Sequence, residues 1–494
     1  MLTRSKGGSR SLEVLHELVD WGLTARWSDF PREVQALARD LTLDCVGCAL
    51  GGVVTAKGQA ALAAARDHPR SPGISVPGLR RGAEPWSAVL AWGELVNALE
   101  FDADLTPCHV SPFVFPASWV SGEQADRPGQ SVLESVVIGH EVTARLAGRM
   151  PGLRSLSGTA RHPRYRFRQR WSAYNTGIVG SVVSQVRLQG GGPREAYRAL
   201  GIAAGLCPVP LSSRFFLTRR PTDGKYGLPG GVSLAARVSV DLAFAGYGGD
   251  EAALLGPNGL LTILGNGPAD LTGLTKDLGE TWRIRDSVFK RFPTGGVGHV
   301  GLDLFERFLR ETGTSPEEIE EVRVTSDPIV EVPVLANRTV TTGPDAQFSL
   351  AWGFAVLPYY PPGPAWQSTA AREDARVRRL FSKVKIRGDP EVVRDLYRQL
   401  VTEHLPYVRR RPTSVEVRTR HGTWRRSDDL AEGYPERPLA PKDLREKFLT
   451  NAGVLLPPVE ARNLYSRLVD LGSSRGLGAV GKLLRVPPRL GARL

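Results

Sequence analysis

The sequence predicts a mostly α-helical protein, with a large all-helical domain and a smaller α+β domain. Three observations predict it. Apolar residues recur at three- and four-residue spacing through the first half of the chain, with Gly or Pro at the ends of many segments. Near residue 280 the pattern changes to short alternating runs mixed with helices. At 494 residues the chain is also too long for one ordinary core.

In order along the chain, residues 31–50 open at Pro31 and place Val34, Leu37, Ala38 and Leu41 on one face before Gly51-Gly52 stops them. Further helices are predicted over 84–99, 131–148, 171–188, 193–205 and 231–246, several rich in the Ala and Gly that permit close helix–helix approach. Residues 298–311 are predicted helical. Ser315-Pro316-Glu317-Glu318 reads as a capping box leading into EVRVTSD, where Val322 and Val324 alternate with polar residues as in a half-buried strand. VEVRTRHGTWRRS (415–427) reads as a hairpin turning at His421-Gly422. Helical spacing returns from Pro441. The predicted organisation is a helical domain over 1–280, an α+β domain over 281–439, and C-terminal helices in 440–494 packing back on the first domain.

Hydrophobic residues make up 41% and charged residues 23%, as in an ordinary globular protein. Lys and Arg number 64 against 51 Asp and Glu, for a net charge of +13. That surplus invites a nucleic-acid reading, but no nucleic-acid fold signature accompanies it; an anionic substrate or an acidic protein partner uses the same field. The four cysteines (Cys45, Cys48, Cys108, Cys207) are too few for a disulfide framework. No apolar run of membrane-spanning length occurs, and the amphipathic LEVLHELVDWGL is not a secretory segment, so a cytoplasmic location is expected.

Several motifs bear on chemistry. Cys45 and Cys48 have CxxC spacing without a second ligand pair, which fits two small buried residues better than a redox or zinc site. Gly476, Gly478 and Gly481 match GxGxxG, but no strand precedes them. The richest segment is VNALEFDADLTPCHVSPFVFP (96–116), with Glu100, Asp102, Asp104 and His109 within ten residues. Carboxylates can orient an imidazole or hold it protonated, and an imidazole is the usual proton shuttle near neutrality. A solvated acidic loop fits the spacing equally well, and no second His supports a metal. In FKRFPTGGVGH (289–299), Lys290, backbone N–H groups and His299 surround a Gly-rich turn that either binds an anion or serves as a linker. DGKYGLPG (223–230) delivers Lys225 before a helix. Arg161 to Arg170 is the most basic run. If extended, Arg164, Arg166, Arg168 and Arg170 share one face and Tyr165 and Phe167 the other; solvated loop, phosphate or carrier-protein contact, and nucleic acid are the alternatives.

Taken in order, these segments resemble the MmgE/PrpD family over nearly the whole chain. ARDLTLDCVGCALGG looks like its early helix, and NALEFDADLTPCHVSP is similar to its LDFDDTH segment and the following His. IGHEVTARL resembles GYEVAARL, TGIVG resembles HPTGTxG, and KYGLPGGVSLAA resembles the Lys-containing loop. KRFPTGGVGH is similar to KPYPxxxxxH, NRTVTTGPDAQFSL to the DAKFSL region, and YPERPLAPKDLREKF to HPxNPLSDEELxxKF. The resemblance implies a helical domain, an inserted α+β domain, a homodimer, and a site between domains that uses neither metal nor organic cofactor. It also implies acidic site residues at Glu100 and Asp102, an active-site His at His109, substrate-binding lysines at Lys225 and Lys290, and a further His at His299. Some positions depart from the family pattern. Tyr174 stands where HPTGT has its His, Ala103 and Asp104 replace Asp and Thr of LDFDDT, and Leu335 falls where some members have Tyr. Asp104 therefore adds charge beside the substrate, and Tyr174 becomes a candidate acid.

The expected function is a lyase- or isomerase-type enzyme that moves a proton beside the carboxylate or carbonyl of a small anionic or carrier-linked acid. Dehydratase-like elimination is favoured. Isomerisation, epimerisation or cyclisation in a specialised secondary-metabolite pathway is the alternative, and a non-catalytic binding role is a third. The expected carrier contact is an acidic protein at residues 161–170.

Overall fold

A computed structural model of the chain describes residues 6–105, 109–168, 171–209, 212–405 and 407–486; Cys108 and Arg170 lie outside the described residues. The first half is built from helices Lys6–Thr24, Arg32–Gly52, Ala56–Arg66, Pro85–Asn97, Ser111–Gln124, Gly129–Ala147, Gly177–Gln189, Pro193–Leu206 and Pro229–Phe244. Their ends follow local chemistry. The Glu84 carboxylate accepts from the Trp86 and Ser87 amides, and proline stands at the start of the helices beginning at 85, 193 and 229, where its missing N–H costs nothing. The predicted helix at 171–188 begins later, at Gly177, after a single 3₁₀ turn over Ala173–Thr176.

Small residues set how closely these helices cross. A Cβ on Gly180 would overlap the Gly139 carbonyl, and one on Gly93 would overlap the Gly230 backbone. The second crossing brings Pro85–Asn97 against Pro229–Phe244, so the chain leaving one helix lies beside the loop entering the other. Those two connections carry Glu100 and Lys225.

The mixed α+β region is found as expected. Its sheet runs in the order Val384–Gly388, Ile319–Ser326, Thr413–Thr419, Gly422–Asp428, with the first pair parallel and the others antiparallel. Val322 lies opposite both Val384 and Val417, and all three are buried with Phe305, Phe308, Trp352 and Trp366 in a core of their own. The Ser315–Glu318 capping box forms but closes only one 3₁₀ turn before the strand. The 413–428 hairpin turns at Arg420-His421. The first-half core also takes in Leu444, Phe448, Leu464 and Leu468 from helices Pro441–Ala452 and Pro458–Val469. Among the described residues no helix is long and apolar enough to cross a membrane.

The basic run is one arm of an antiparallel hairpin, Arg154–Gly158 paired with Pro163–Phe167. Arg164 and Arg166 face solvent while Tyr165 and Phe167 are half-buried, as alternation requires. The hairpin is fastened to the α+β region through Asp327. Its carboxylate takes Arg154 at 2.8 Å and Arg411 at 2.5 Å.

Candidate active site

Glu100 follows the helix Pro85–Asn97 in a left-handed conformation (φ 56°), which a residue with a Cβ adopts only when its surroundings hold it there. The surroundings are visible. Gln347 donates to the Ala98 carbonyl and Gln367 to that of Leu99, each at 2.8 Å. The Lys447 ammonium donates to the carbonyls of Phe101 and Lys290 while pairing with buried Asp44 at 2.6 Å. Asp44 also accepts the Ala103 N–H, and Asp104 exchanges both backbone hydrogen bonds with Val288. The acidic segment and the segment bearing Lys290 are thereby clamped side by side, by Lys447 of helix Pro441–Ala452 and by the Asp104–Val288 backbone pair.

The Glu100 carboxylate, 2% exposed, is the hub. Lys290 Nζ reaches one oxygen at 2.9 Å, and Lys225 Nζ reaches the other at 3.2 Å. The Tyr226 hydroxyl donates to that second oxygen at 3.3 Å and accepts from Asn97 Nδ2 at 2.7 Å. His109 Nε2 stands 3.7 Å from Glu100, while Nδ1 is 3.5 Å from Asp102 and 3.8 Å from Asp104. These are ion-pair rather than close hydrogen-bond distances. The imidazole lies flat on Tyr226 (centroids 4.7 Å apart, 18° between planes) and meets the edge of Tyr174 at 5.4 Å.

Burial and charge act in opposite directions on these groups. For Glu100, burial favours the neutral acid, but Lys290, Lys225 and His109 outweigh it and hold the carboxyl well below the usual range. Burial also opposes protonation of His109. Asp104, Asp102 and Glu100 overcome both that and the repulsion of Lys290, so its pKa rises above the ordinary 6.5. The two lysines diverge although they share Glu100. Lys225 is pushed down to about 8 because burial, Lys57 and Lys290 prevail over its carboxylates. Lys290 is raised, because Glu100, Asp102 and Asp104 together overcome its burial. His299 is held neutral, its pKa near 3, first by burial and then by Lys290, with Nε2 3.3 Å from the Thr294 carbonyl.

Glu100, Asp104, His109, Tyr174, Lys290 and His299 line one cavity of about 540 Å³, together with Leu335. Asp102 and Lys225 do not line it. Asp102 stands behind His109, and the Lys225 ammonium, with no exposed surface, is engaged by Glu100 and the Asn97 carbonyl. Lys225 thus faces Glu100 rather than the cavity to which the resemblance assigns it. Tyr226, which presents its ring to the imidazole, was not singled out from sequence; its only signal was its place beside Lys225 in the KYGLPGG loop. Nothing local marked Asn97, Gln347, Gln367 or Lys447 either. Arg168 brings the basic run into the cavity wall. Cys45 and Cys48 are buried in one helix, where burial pushes both thiols well up. The GxGxxG stretch leads into the short helix Gly478–Leu484 with no strand before it. Among the described residues no three His, Cys, Asp or Glu side chains are grouped as a metal site.

Comparison with known proteins agrees with this architecture. Residues 16–271 match the MmgE/PrpD N-terminal domain and residues 292–471 the MmgE/PrpD C-terminal domain. A curated relative, the cis-aconitate decarboxylase-like protein oryM of Aspergillus oryzae, is 25% identical over 317 residues, which is 60% of this chain and 62% of that protein. Because the two domain types follow one another in order and cover most of the sequence, the chain belongs to the MmgE/PrpD family, which includes dehydratases and decarboxylases.

Proposed function

We propose that the protein is a lyase-type enzyme that removes a proton beside the carboxylate or carbonyl of an organic acid, with dehydratase-like elimination as the outcome. The observation that carries this reading is His109. A buried imidazole set among Glu100, Asp102 and Asp104, with Lys290 alongside, opens on a cavity large enough for a substrate.

The assignment of roles follows from position. Lys290, the lysine on the cavity wall, stabilises the negative charge that develops on the substrate's carboxylate or carbonyl oxygen as the neighbouring C–H bond breaks. Neutral His109 receives that proton. Asp102 and Asp104 stabilise the resulting imidazolium, and Tyr226 keeps the ring in plane. The electron pair of the C–H bond becomes the new C=C bond as the C–O bond breaks, and Tyr174 supplies the proton with which hydroxide departs as water. Without a leaving group, return of the proton from His109 gives an isomer or epimer instead. Lys225 acts from behind, fixing Glu100.

The test is proton NMR in heavy water with citrate, 2-methylcitrate, cis-aconitate and iminodisuccinate, run on the native protein and His109→Gln. Deuterium uptake or an alkene signal that disappears in a normally folded His109→Gln supports the reading. Undiminished turnover in that variant overturns it.

A further inference from the structure

The walls of the catalytic cavity differ in character from its floor. The floor is charged and buried, formed by Glu100, His109 and Lys290. Beside it stands a contiguous aromatic wall. Phe215 packs edge-on against Phe348 at 4.6 Å and against Tyr226 at 5.7 Å, while Trp171 packs on Tyr174 at 4.9 Å. Tyr226 and Tyr174 are the rings that touch His109, so this apolar surface begins at the reacting centre itself. Half-exposed Phe216, Leu400 and Leu405 extend the apolar lining toward solvent.

A short polycarboxylate leaves such walls in contact with nothing but its own polar groups. Carboxylates set against Phe and Leu lose hydration and gain no hydrogen bonds, which is unfavourable. A volume of about 540 Å³ falls within the roughly 300–1,000 Å³ of pockets that enclose ligands of drug size.

Arg168 supplies the remaining observation. It lines the cavity, and its Nε is buried without a hydrogen-bond partner among the described residues. The other arginines of the wall, Arg154 and Arg411, are both committed to Asp327. A buried donor left unpaired is costly, and an anionic ligand group would satisfy it.

Resting on the proton-transfer reading for which end reacts, we infer that the substrate is an amphipathic acid. Its reacting carboxyl end lies at Lys290 and His109, an aliphatic or aromatic body lies along the Phe215–Trp171 wall, and a second anionic group meets Arg168.

Calorimetric titration of the full chain with methyl-, butyl- and octylsuccinate tests the body of this ligand at constant head group. Affinity is expected to rise about fourfold per added methylene until the wall is covered, as burial of one CH₂ implies, with an increasingly negative heat-capacity change. An affinity that stays flat or falls from methyl- to butylsuccinate overturns the inference. Comparing octylsuccinate with 2-(7-carboxyheptyl)succinate on the native protein and Arg168→Gln tests the far end. The variant is expected to lose ten- to a hundredfold on the carboxylated chain and less than twofold on octylsuccinate. Equal losses on both ligands overturn the role of Arg168. Rising affinity without proton exchange on any acid would refute the catalytic reading and leave the ligand class standing. Exchange on short acids with weaker binding of longer ones would do the reverse.

Discussion

Glu100→Gln is the most informative single substitution, because one buried carboxylate balances two buried ammonium groups. At an effective dielectric constant of about 20, unit charges 2.9 Å apart attract by about 5.7 kcal/mol and those 3.2 Å apart by about 5.2 kcal/mol. Desolvation of the three groups cancels most of that in the native protein. The amide variant keeps the desolvation of both lysines and loses the attraction that offset it, so a loss of about 3–5 kcal/mol is expected. Urea unfolding followed by tryptophan fluorescence measures it, against Lys290→Met and the double variant. Each single variant should be destabilised, and the double variant should lose about 2 kcal/mol less than the sum, since the two changes remove mutually dependent charges. The pH dependence adds a sign. Lys225 is already pushed down to about 8, and without Glu100 it falls further. A lysine whose folded pKa lies below its unfolded value penalises folding at low pH, and the penalty lifts as the pH rises above the folded value, so the deficit of Glu100→Gln should shrink as the pH rises toward 8, the native value for Lys225. A Glu100→Gln protein within about 1 kcal/mol of the native one, or strictly additive losses, would refute the view of Glu100 as the shared counter-ion of two buried lysines.

Asp104→Asn removes the largest contribution raising the His109 pKa, so that pKa falls and the acid limb of kcat/KM moves to lower pH; an unmoved limb would remove His109 as the titrating base. In the native protein the raised pKa contributes stability that is fully present below the unfolded value and lost as pH rises through the folded one, and Asp104→Asn should diminish that contribution. Tyr174→Phe keeps the ring against His109 and removes only the hydroxyl. Deuterium exchange should persist while kcat for elimination falls about a hundredfold with little change in KM, and elimination at the native rate would exclude Tyr174 as the acid. Asp327→Asn leaves Arg154 and Arg411 without their shared carboxylate and should loosen the hairpin that walls the cavity. Faster proteolysis within residues 151–168 and a higher KM are expected; an unchanged digest would show that the hairpin is held by other contacts.

The helices and the α+β region were legible because their signals are local. Apolar spacing, a proline at a helix start and alternation in a strand act within a few residues of one another. The charged components of the site were legible as residue types in short motifs, with Glu100, Asp102, Asp104 and His109 in one segment and Lys290 and His299 in another. The sequence by itself therefore determined the class of fold, the family pattern and the presence of an acidic imidazole segment. It did not determine which lysine lines the cavity. That depends on the crossing of Gly93 with Gly230, which sets the Lys225 loop behind Glu100 and leaves Lys290 on the cavity wall. Nor did it determine the left-handed backbone at Glu100, which Gln347, Gln367 and Lys447 hold from hundreds of residues away. For the basic run the sequence left solvated loop, phosphate or carrier contact and nucleic acid open; pairing with Arg154–Gly158 turns Arg168 into the cavity wall. Local patterns specify which groups a chain owns. Only the tertiary structure decides which charges are buried together, because that depends on contacts between segments far apart in sequence.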